Sequence, residues 1–293
     1  MGSTDRMAAQ GYETNAPSFG VTIGRVVNRI AKGQFALDGV HYQLEINDGS
    51  NHIHGGVINF SHRLWEGHIE ETGVSFSYTS PDGENGYPGE VFVTINYQLT
   101  DDNKLLISYV AKTTKATPIN LTNHSYFNLG GHDSGSVTDH IVEIDADKYT
   151  PMVIETTIPS GEISSVDDTV FDLRSPTRIG DKINEVPGLG YDHNFCVKSS
   201  EKPCVMYVKH VTHKESGRKM EVSTTKPGIQ FYTANYLNDS TVGKCGAIYP
   251  KHSALCLESQ FYPNAVNQPN FPSCILQPGD MYTHLTAFAF SWN

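Results

Sequence analysis

The stretch Phe35-Ala36-Leu37-Asp38-Gly39-Val40-His41-Tyr42-Gln43-Leu44 alternates apolar and polar residues on both sides of Asp38-Gly39. Alternation with a period of two is typical of a β-strand that buries one face. Asp-Gly is a preferred pair for a two-residue hairpin turn, because both of its residues tolerate positive φ. The sequence therefore predicts a β-hairpin at this point.

The same pattern recurs along the 293 residues. Apolar residues alternate in Val74–Tyr78 and Val91–Tyr97, and Leu106, Ser108 and Val110 are predicted to share one face of a further strand. Other strand-like runs are Cys204–Val211, Lys219–Thr225, Ile229–Thr233, Ala254–Gln260 and Thr283–Trp292. Only Ile179–Val186 suggests a short helical turn. Many short strands with frequent turns predict a single all-β domain, built as a sandwich or a barrel.

Composition narrows the possible partners. Hydrophobic residues make up 38% and charged residues 18% of the chain, which suits a folded protein with a core. The net charge of −11 argues against nucleic acid and against anionic membrane as partners. No run of about 18 apolar residues predicts a membrane span. Five cysteines without CxxC spacing, and no visible secretory signal, indicate reduced thiols in a cytoplasmic protein.

His124 lies in the run Asn120-Leu121-Thr122-Asn123-His124-Ser125-Tyr126-Phe127-Asn128-Leu129-Gly130. An imidazole titrates near pH ~6.5, so it can give or take a proton at neutral pH. The polar and aromatic neighbours can orient the ring and keep it partly dry. A hydrogen-bonded core histidine is the alternative interpretation.

A possible metal motif occurs in Asn51-His52-Ile53-His54-Gly55-Gly56. The two histidines share one face if the segment is extended. Metal sites of this kind also need a carboxylate a few residues further on, and the nearest one here is Glu66. His210 and His213 form only a weak second pair, so we expect no metal site.

Glu258 is the anomaly in Ala254-Leu255-Cys256-Leu257-Glu258-Ser259-Gln260. In a strand, Leu255 and Leu257 point to one side, and Cys256, Glu258 and Gln260 to the other. A buried carboxylate is costly without a partner, and burial raises its pKa into the range of a general base. The alternative is an edge-strand glutamate that faces water.

Four further polar residues are candidates for contacts with hydroxyl groups. Asn28-Arg29 offers fixed donors, although a surface ion pair would also explain Arg29. Asp192 lies in the predicted polar loop Gly190–Asn194 as a possible acceptor. Gln230 shares a strand face with Tyr232.

Taken together and in this order, these segments resemble the aldose 1-epimerase (galactose mutarotase) family. The matching segments extend from about residue 11 to the C-terminus: Gly24–Ile30, His54–Gly56, Pro81–Gly89, Thr122–Leu129, Phe171–Arg174, Tyr191–His193, Pro227–Thr233, Glu258 and Ala265–Asn267.

The resemblance implies a large antiparallel β-sandwich, the galactose mutarotase-like supersandwich, as one domain over residues 1–293. It also implies an isomerase that interconverts hexose anomers by acid/base ring opening. Glu258 would be the base and His124 the acid, and His54 would assist at the ring oxygen. Asn28, Arg29, Asp192 and Gln230 would hold the hydroxyls of a small-molecule hexose such as galactose or glucose. The family uses no metal and no organic cofactor.

The chain departs from the family pattern in one respect. The family has several strands before the segment equivalent to Gly11–Gly20, where this chain has a short polar N-terminus, so we expect the domain to lack those strands. Two alternative functions stay open, a non-catalytic hexose sensor and a hexose-6-phosphate mutarotase. The second would need an Arg or Lys cluster for the phosphate. The preferred hexose and the oligomeric state, monomer or weak dimer, are not predicted.

Overall fold

A computed structural model describes residues 17–198 and 206–292. The N-terminal segment before residue 17, Cys204 and the start of the predicted Cys204–Val211 run lie outside the described residues. No helix in the described part of the chain is both long enough and apolar enough to cross a bilayer.

Short strands and turns dominate the first part of the chain, and the longest strands lie in its middle and at its end. In chain order the strands are β1 (Thr22–Ile23), β2 (Arg29–Ile30), β3 (Gln34–Leu37), β4 (Val40–Gln43), β5 (His52–Ile53), β6 (Glu66–Glu70), β7 (Gly73–Ser80), β8 (Val91–Leu99), β9 (Lys104–Thr113), β10 (Thr117–Pro118), β11 (Thr122–Asn123), β12 (Ile141–Ile144), β13 (Lys148–Tyr149), β14 (Met152–Val153), β15 (Ile158–Pro159), β16 (Ser164–Ser165), β17 (Thr177–Arg178), β18 (Asp192–Cys196), β19 (Met206–His213), β20 (Arg218–Thr224), β21 (Gly228–Tyr232), β22 (Cys256–Gln260), β23 (Ile275–Leu276) and β24 (Tyr282–Trp292).

Helices are few and short. Helix α1 spans Ile179–Lys182, which confirms the predicted helical turn. Single 3₁₀ turns occur at Ala31–Gly33, Phe60–His62, Glu84–Gly86, Lys244–Gly246 and Ala265–Asn267.

Two antiparallel sheets organise the molecule. The larger has nine strands in the order β17-β12-β19-β20-β24-β9-β8-β7-β6, and the smaller has five in the order β16-β13-β18-β21-β22. One apolar cluster joins them, because Ile95 of β8 and Tyr109 of β9 belong to the same core as Phe231 of β21 and Leu257 of β22. The predicted all-β antiparallel sandwich is confirmed.

The predicted hairpin is also confirmed, since β3 and β4 pair around Asp38-Gly39, whose φ values are 52° and 77°. The predicted strand around Leu106–Val110 lies within β9, and its alternating residues share the face that points away from the core. Ile107, Tyr109 and Ala111 enter the core, whereas Val110 is exposed. Apolar residues occur at both odd and even positions of β9, so alternation alone does not show which face is buried.

Strands β21 and β22 are buried at every residue, unlike the long strands of the larger sheet. Their odd-numbered residues Ile229, Phe231 and Leu257 face the core between the sheets. Their even-numbered residues face the opposite way and are covered by loops from the first half of the chain. This covered face of the smaller sheet holds the candidate site.

Candidate active site

Three neighbouring strands of the smaller sheet present polar side chains on the covered face. Gln230 of β21 lies opposite Asn194 of β18 on one side and opposite Glu258 of β22 on the other. Asp192 begins β18, so its predicted place in a loop is wrong. A strand holds the Asp192 carboxylate in a fixed position beside Gln230, whose Nε2 donates to Oδ1 at 2.7 Å.

His124 reaches this face from the end of β11. Its backbone is fixed by Val21 and Gly20, because its N–H donates to Val21 O at 2.9 Å and its carbonyl accepts from Gly20 N at 3.0 Å. The imidazole stacks on Tyr126 with ring centroids 5.1 Å apart and planes at 17°. The aromatic neighbour Tyr126 therefore orients this ring, as the sequence suggests.

The His124 and Glu258 side chains face each other. Nε2 of His124 lies 3.6 Å from Oε2 of Glu258, and the two residues are only 5% and 3% exposed. This separation is longer than a hydrogen bond. Within the described residues, no hydrogen bond satisfies the Glu258 carboxylate. The carboxylate is thus buried and free to accept a proton from a bound molecule.

Burial shifts both groups toward their neutral forms. Desolvation, reinforced by the charge of Asp192, raises the pKa of Glu258 well above its usual value, with Arg29 opposing. Desolvation lowers the pKa of His124 to about 4. Over the intervening pH range the pair holds one proton, which titrates as a property of both groups together.

His54 joins the site through a backbone contact. The Asn28 N–H donates to Nδ1 of His54 at 3.2 Å, and the His54 N–H donates to Asn28 O at 3.1 Å. Because Nδ1 accepts, the neutral ring carries its proton on Nε2. The ring meets the His124 ring at 79° with centroids 5.5 Å apart.

His52 and His54 would share one face only in an extended segment, and the structure does not meet that condition. His54 has a φ of 55°, so the segment is not extended there. The His52 ring points elsewhere, where Nδ1 lies 2.7 Å from Glu45 O and Nε2 lies 2.8 Å from the Tyr87 hydroxyl. Only His54 therefore belongs to the candidate site.

Arg29 lies on the other side of Asn28 and is held by carboxylates. Its Nε donates to Oδ2 of Asp48 at 2.6 Å. Burial lowers the pKa of Arg29, but the charges of Asp192 and Asp48 outweigh it, so the pKa is raised overall. Arg29 is a fixed cation in a cleft whose lining includes Asn28, Asp192 and Gln230.

The structure therefore brings together every predicted site residue. Contacts lead from Glu258 to His124, from His124 to His54, and from His54 to Asn28-Arg29. The charge of Arg29 acts on Asp192, which accepts from Gln230, and Gln230 lies opposite Glu258 across the strand pair. The seven residues therefore form one connected group on the covered face of the smaller sheet.

Sequence reasoning missed three contributors. Asp48 holds Arg29. Cys256 places Sγ 3.6 Å from Nδ1 of His124, and Gln260 donates to Gln230 Oε1 at 3.0 Å. For Cys256 and Gln260 a signal existed, because they share the face of Glu258. For Asp48, the sequence offers no local sign of its contact with Arg29.

Comparisons with known proteins point to one family. The family model described as "Aldose 1-epimerase" matches residues 3–289. Galactose mutarotase of Sus scrofa is 52% identical over 280 residues, which covers 96% of this chain and 81% of that protein. Aldose 1-epimerase of Escherichia coli (strain K12) is 37% identical, covering 95% and 82%. A solved aldose epimerase homologue from C. elegans has a TM-score of 0.88 at 31% identity, covering 100% of this chain and 86% of that one.

Proposed function

This chain belongs to the aldose 1-epimerase family, and from that premise we propose that it interconverts the α and β anomers of hexoses such as galactose and glucose. The observation that carries the proposal is the facing pair of Glu258 and His124, 3.6 Å apart and buried. Anomer exchange needs a proton acceptor for the C1 hydroxyl and a proton donor for the ring oxygen bonded to the same carbon, and this pair supplies both.

In the proposed reaction, Glu258 removes the proton from the C1 hydroxyl while His124 gives a proton to the ring oxygen. The C1–O5 bond breaks and the open-chain aldehyde forms. Rotation about C1–C2 exposes the other carbonyl face, and closure reverses both proton transfers. Each positioned acid or base contributes about 10²–10⁴ in rate.

The proton count of this reaction agrees with the pKa shifts. The reaction needs Glu258 ionised and His124 protonated, which is one proton on the pair. Burial favours the other arrangement of that same proton, with Glu258 protonated and His124 neutral. Once the two groups approach to hydrogen-bonding distance, transfer of this proton from Glu258 to His124 prepares the reactive arrangement without exchange with solvent.

His54 supports the proposed acid step. Its Nδ1 accepts the Asn28 N–H, so its Nε2–H is available as a donor. A neutral donor beside His124 stabilises negative charge that develops on the ring oxygen. We propose that this is how His54 assists.

Hydroxyl recognition is proposed for Asn28, Arg29, Asp192 and Gln230. These residues line one cleft and alternate donors with acceptors, as a neutral sugar requires. Arg29 is engaged by Asp48 at 2.6 Å, so its charge is already balanced. This balance favours a neutral hexose over a hexose 6-phosphate.

Polarimetry tests the proposal directly. Pure α-D-galactose is dissolved with and without the protein, and the approach to the equilibrium rotation is followed at a pH where the spontaneous rate is low. We expect the rate to rise in proportion to enzyme concentration. A parallel series with glucose and glucose 6-phosphate ranks the substrates, and we expect little acceleration for the phosphate.

A sensor would give a different pair of results. Galactose would raise the melting temperature of the protein, while the rate of mutarotation would equal the spontaneous rate. That combination overturns the catalytic proposal, and a preference for glucose 6-phosphate overturns the neutral-sugar assignment.

A further inference from the structure

The proposed proton-transfer pair and one neighbouring thiol bring three side chains of different chemistry together. Cys256 Sγ lies 3.6 Å from Nδ1 of His124, and Glu258 Oε2 lies 3.6 Å from Nε2 of the same ring. Their donor atoms lie within 4.8 Å of one another. All three residues are buried, at 0%, 5% and 3% exposure for Cys256, His124 and Glu258.

Only one nitrogen of the imidazole can bind a given ion, so only one of the two 3.6 Å separations can be a ligand-to-ligand distance in a tetrahedral metal site. Metal–ligand bonds of about 2.0–2.3 Å place neighbouring ligand atoms roughly 3.3–3.6 Å apart. One ring nitrogen of His124 would bind the ion, and the third ligand would move by roughly 1 Å to complete the set. Thiolate and carboxylate together neutralise a divalent charge, so the loaded site carries no net charge into a buried region.

A second cluster, Asp139, His140 and His213, also has residue types that bind metals, but its ring nitrogens already have hydrogen-bond partners. Asp139 binds Nδ1 of His140 at 2.8 Å and Nε2 of His213 at 3.1 Å. The other nitrogen of each ring accepts a backbone N–H, from Leu129 and Ser216 respectively. These backbone donors fix a proton on each nitrogen that faces Asp139, so neither nitrogen is free for a metal ion.

His124 lacks this constraint. Its Nδ1 faces the Cys256 thiol and its Nε2 faces the Glu258 carboxylate, both of which can release a proton. We propose that His124, Cys256 and Glu258 form a binding site for a thiophilic divalent cation, with Zn²⁺ as the representative ion, and that its occupancy excludes the sugar reaction. Binding releases the thiol proton and any proton on Glu258, so affinity rises with pH.

Cobalt substitution tests the site without using activity. Co²⁺ is titrated into the metal-free protein, and the near-ultraviolet thiolate-to-cobalt charge-transfer band is recorded together with the visible bands of tetrahedral cobalt. We expect both for the wild type. Cys256→Ser and Cys256→Ala should lose the charge-transfer band. The matched control Cys245→Ser should keep it, because Cys245 is exposed and lies outside the cluster.

Competition with Zn²⁺ gives the affinities. Loss of a group that only supports a metal ligand weakens metal binding about 10- to 100-fold. We expect Cys256→Ser, which removes a ligand itself, to weaken Zn²⁺ binding at least as much. His213→Gln should leave Zn²⁺ affinity unchanged, since both ring nitrogens of His213 already have hydrogen-bond partners. Circular dichroism confirms that each variant is folded, and Cys256→Ala provides the result if the serine variant is not.

The metal proposal fails if the wild type shows no charge-transfer band at millimolar Co²⁺, or if the band persists in both Cys256 variants. It also fails if Cys245→Ser removes the band. The inhibition half of the proposal rests on the proposed function. There we expect Zn²⁺ to slow mutarotation in competition with galactose, and EDTA to restore the rate. A cobalt band in a protein that is inactive without metal would overturn the proposed function and leave the metal site standing.

Discussion

The two faces of strand β22 each bury a histidine, and the two histidines differ in how they are satisfied. On the covered face, His124 lies 3.6 Å from Glu258, beyond hydrogen-bonding distance. On the core face, Nε2 of His284 lies 2.8 Å from the Ser259 hydroxyl and 2.9 Å from the Thr286 hydroxyl. The His284 ring also stacks on Tyr109 at 4.7 Å.

Burial and the pKa shifts that it causes do not by themselves distinguish the covered face of β22 from its core face. Burial lowers the pKa of His124 to about 4 and lowers that of His284 well below its usual value. On the core face it also lowers the pKa of Lys226 to about 7, although the Lys226 amine donates to Thr283 O and lies 3.9 Å from the Tyr282 ring centroid. A perturbed pKa becomes a functional indication when the group still has hydrogen-bonding capacity that a ligand can use.

The largest expected effect is a loss of kcat on substitution of Glu258 that does not occur on substitution of its neighbour in β22, Ser259. Glu258→Gln keeps the size of the side chain and removes the base, so we expect kcat to fall by about 10²–10⁴-fold. Galactose affinity, measured by calorimetry, should stay within a few-fold of the wild type. Ser259→Ala, one residue further on and on the opposite face, is the matched control and should keep its kcat.

Near-normal turnover in Glu258→Gln would show that another group is the base. Equal losses in both variants would show that the strand as a whole, and not the orientation of its side chains, controls the rate.

The pH dependence of kcat/KM should reveal the single shared proton. Below the lower pKa of the pair a second proton binds, so that His124 is charged and Glu258 is neutral and cannot act as the base, and activity falls as pH decreases. Above the upper pKa the last proton leaves, and activity falls as pH increases. Because burial lowers the pKa of His124 to about 4 and raises that of Glu258, we expect a broad plateau between the limbs.

Each limb of this profile should change about tenfold per pH unit, after subtraction of the spontaneous rate. A profile that stays flat from acid to alkaline pH would contradict the shared-proton assignment. His284→Gln should leave both limbs in place, because His284 lies on the core face.

Arg29 provides an intermediate effect on the covered face. Arg29→Ala removes a proposed contact to the sugar but no proton-transfer group, so we expect KM to rise by about tenfold or more with a smaller change in kcat. Steady-state polarimetry over a galactose concentration series measures both. A large loss of kcat at unchanged KM would instead assign Arg29 to the reaction step.

The sequence reveals the residue types of the site more readily than their contacts. Glu258 stands out because it interrupts an apolar strand, and His124 because polar and aromatic residues surround it. Their approach to 3.6 Å joins segments that are distant in the chain, and only the packing of β11 against β22 produces it. Asp192 was misplaced because Gly190-Tyr191-Asp192 looks like a turn although a buried strand begins there.

The fold shows the same division between local pattern and packing. The Asp38-Gly39 turn is decided by its own two residues, so sequence suffices to predict it. The buried face of β9 depends on the sheet packed against it, because both of its faces carry apolar residues. Pairing order within the nine-stranded sheet is likewise a property of the whole chain.

The smallest expected effect concerns the core face alone. Ser259→Ala removes a hydroxyl that lies 2.8 Å from His284 Nε2 and 2.5 Å from the Thr286 hydroxyl, while the Thr286 hydroxyl remains 2.9 Å from His284 Nε2. We therefore expect the free energy of unfolding to fall by about 2 kcal/mol, because each of the two lost hydrogen bonds has a net value of about 1 kcal/mol. Urea unfolding, with the denaturant midpoint compared at equal slope, measures this loss. A loss of more than about 3 kcal/mol would mean that the removal leaves His284 unsatisfied. A tenfold fall in kcat with an unchanged midpoint would mean that the two faces of β22 are coupled, because the only altered group would lie on the side without the proposed proton-transfer pair.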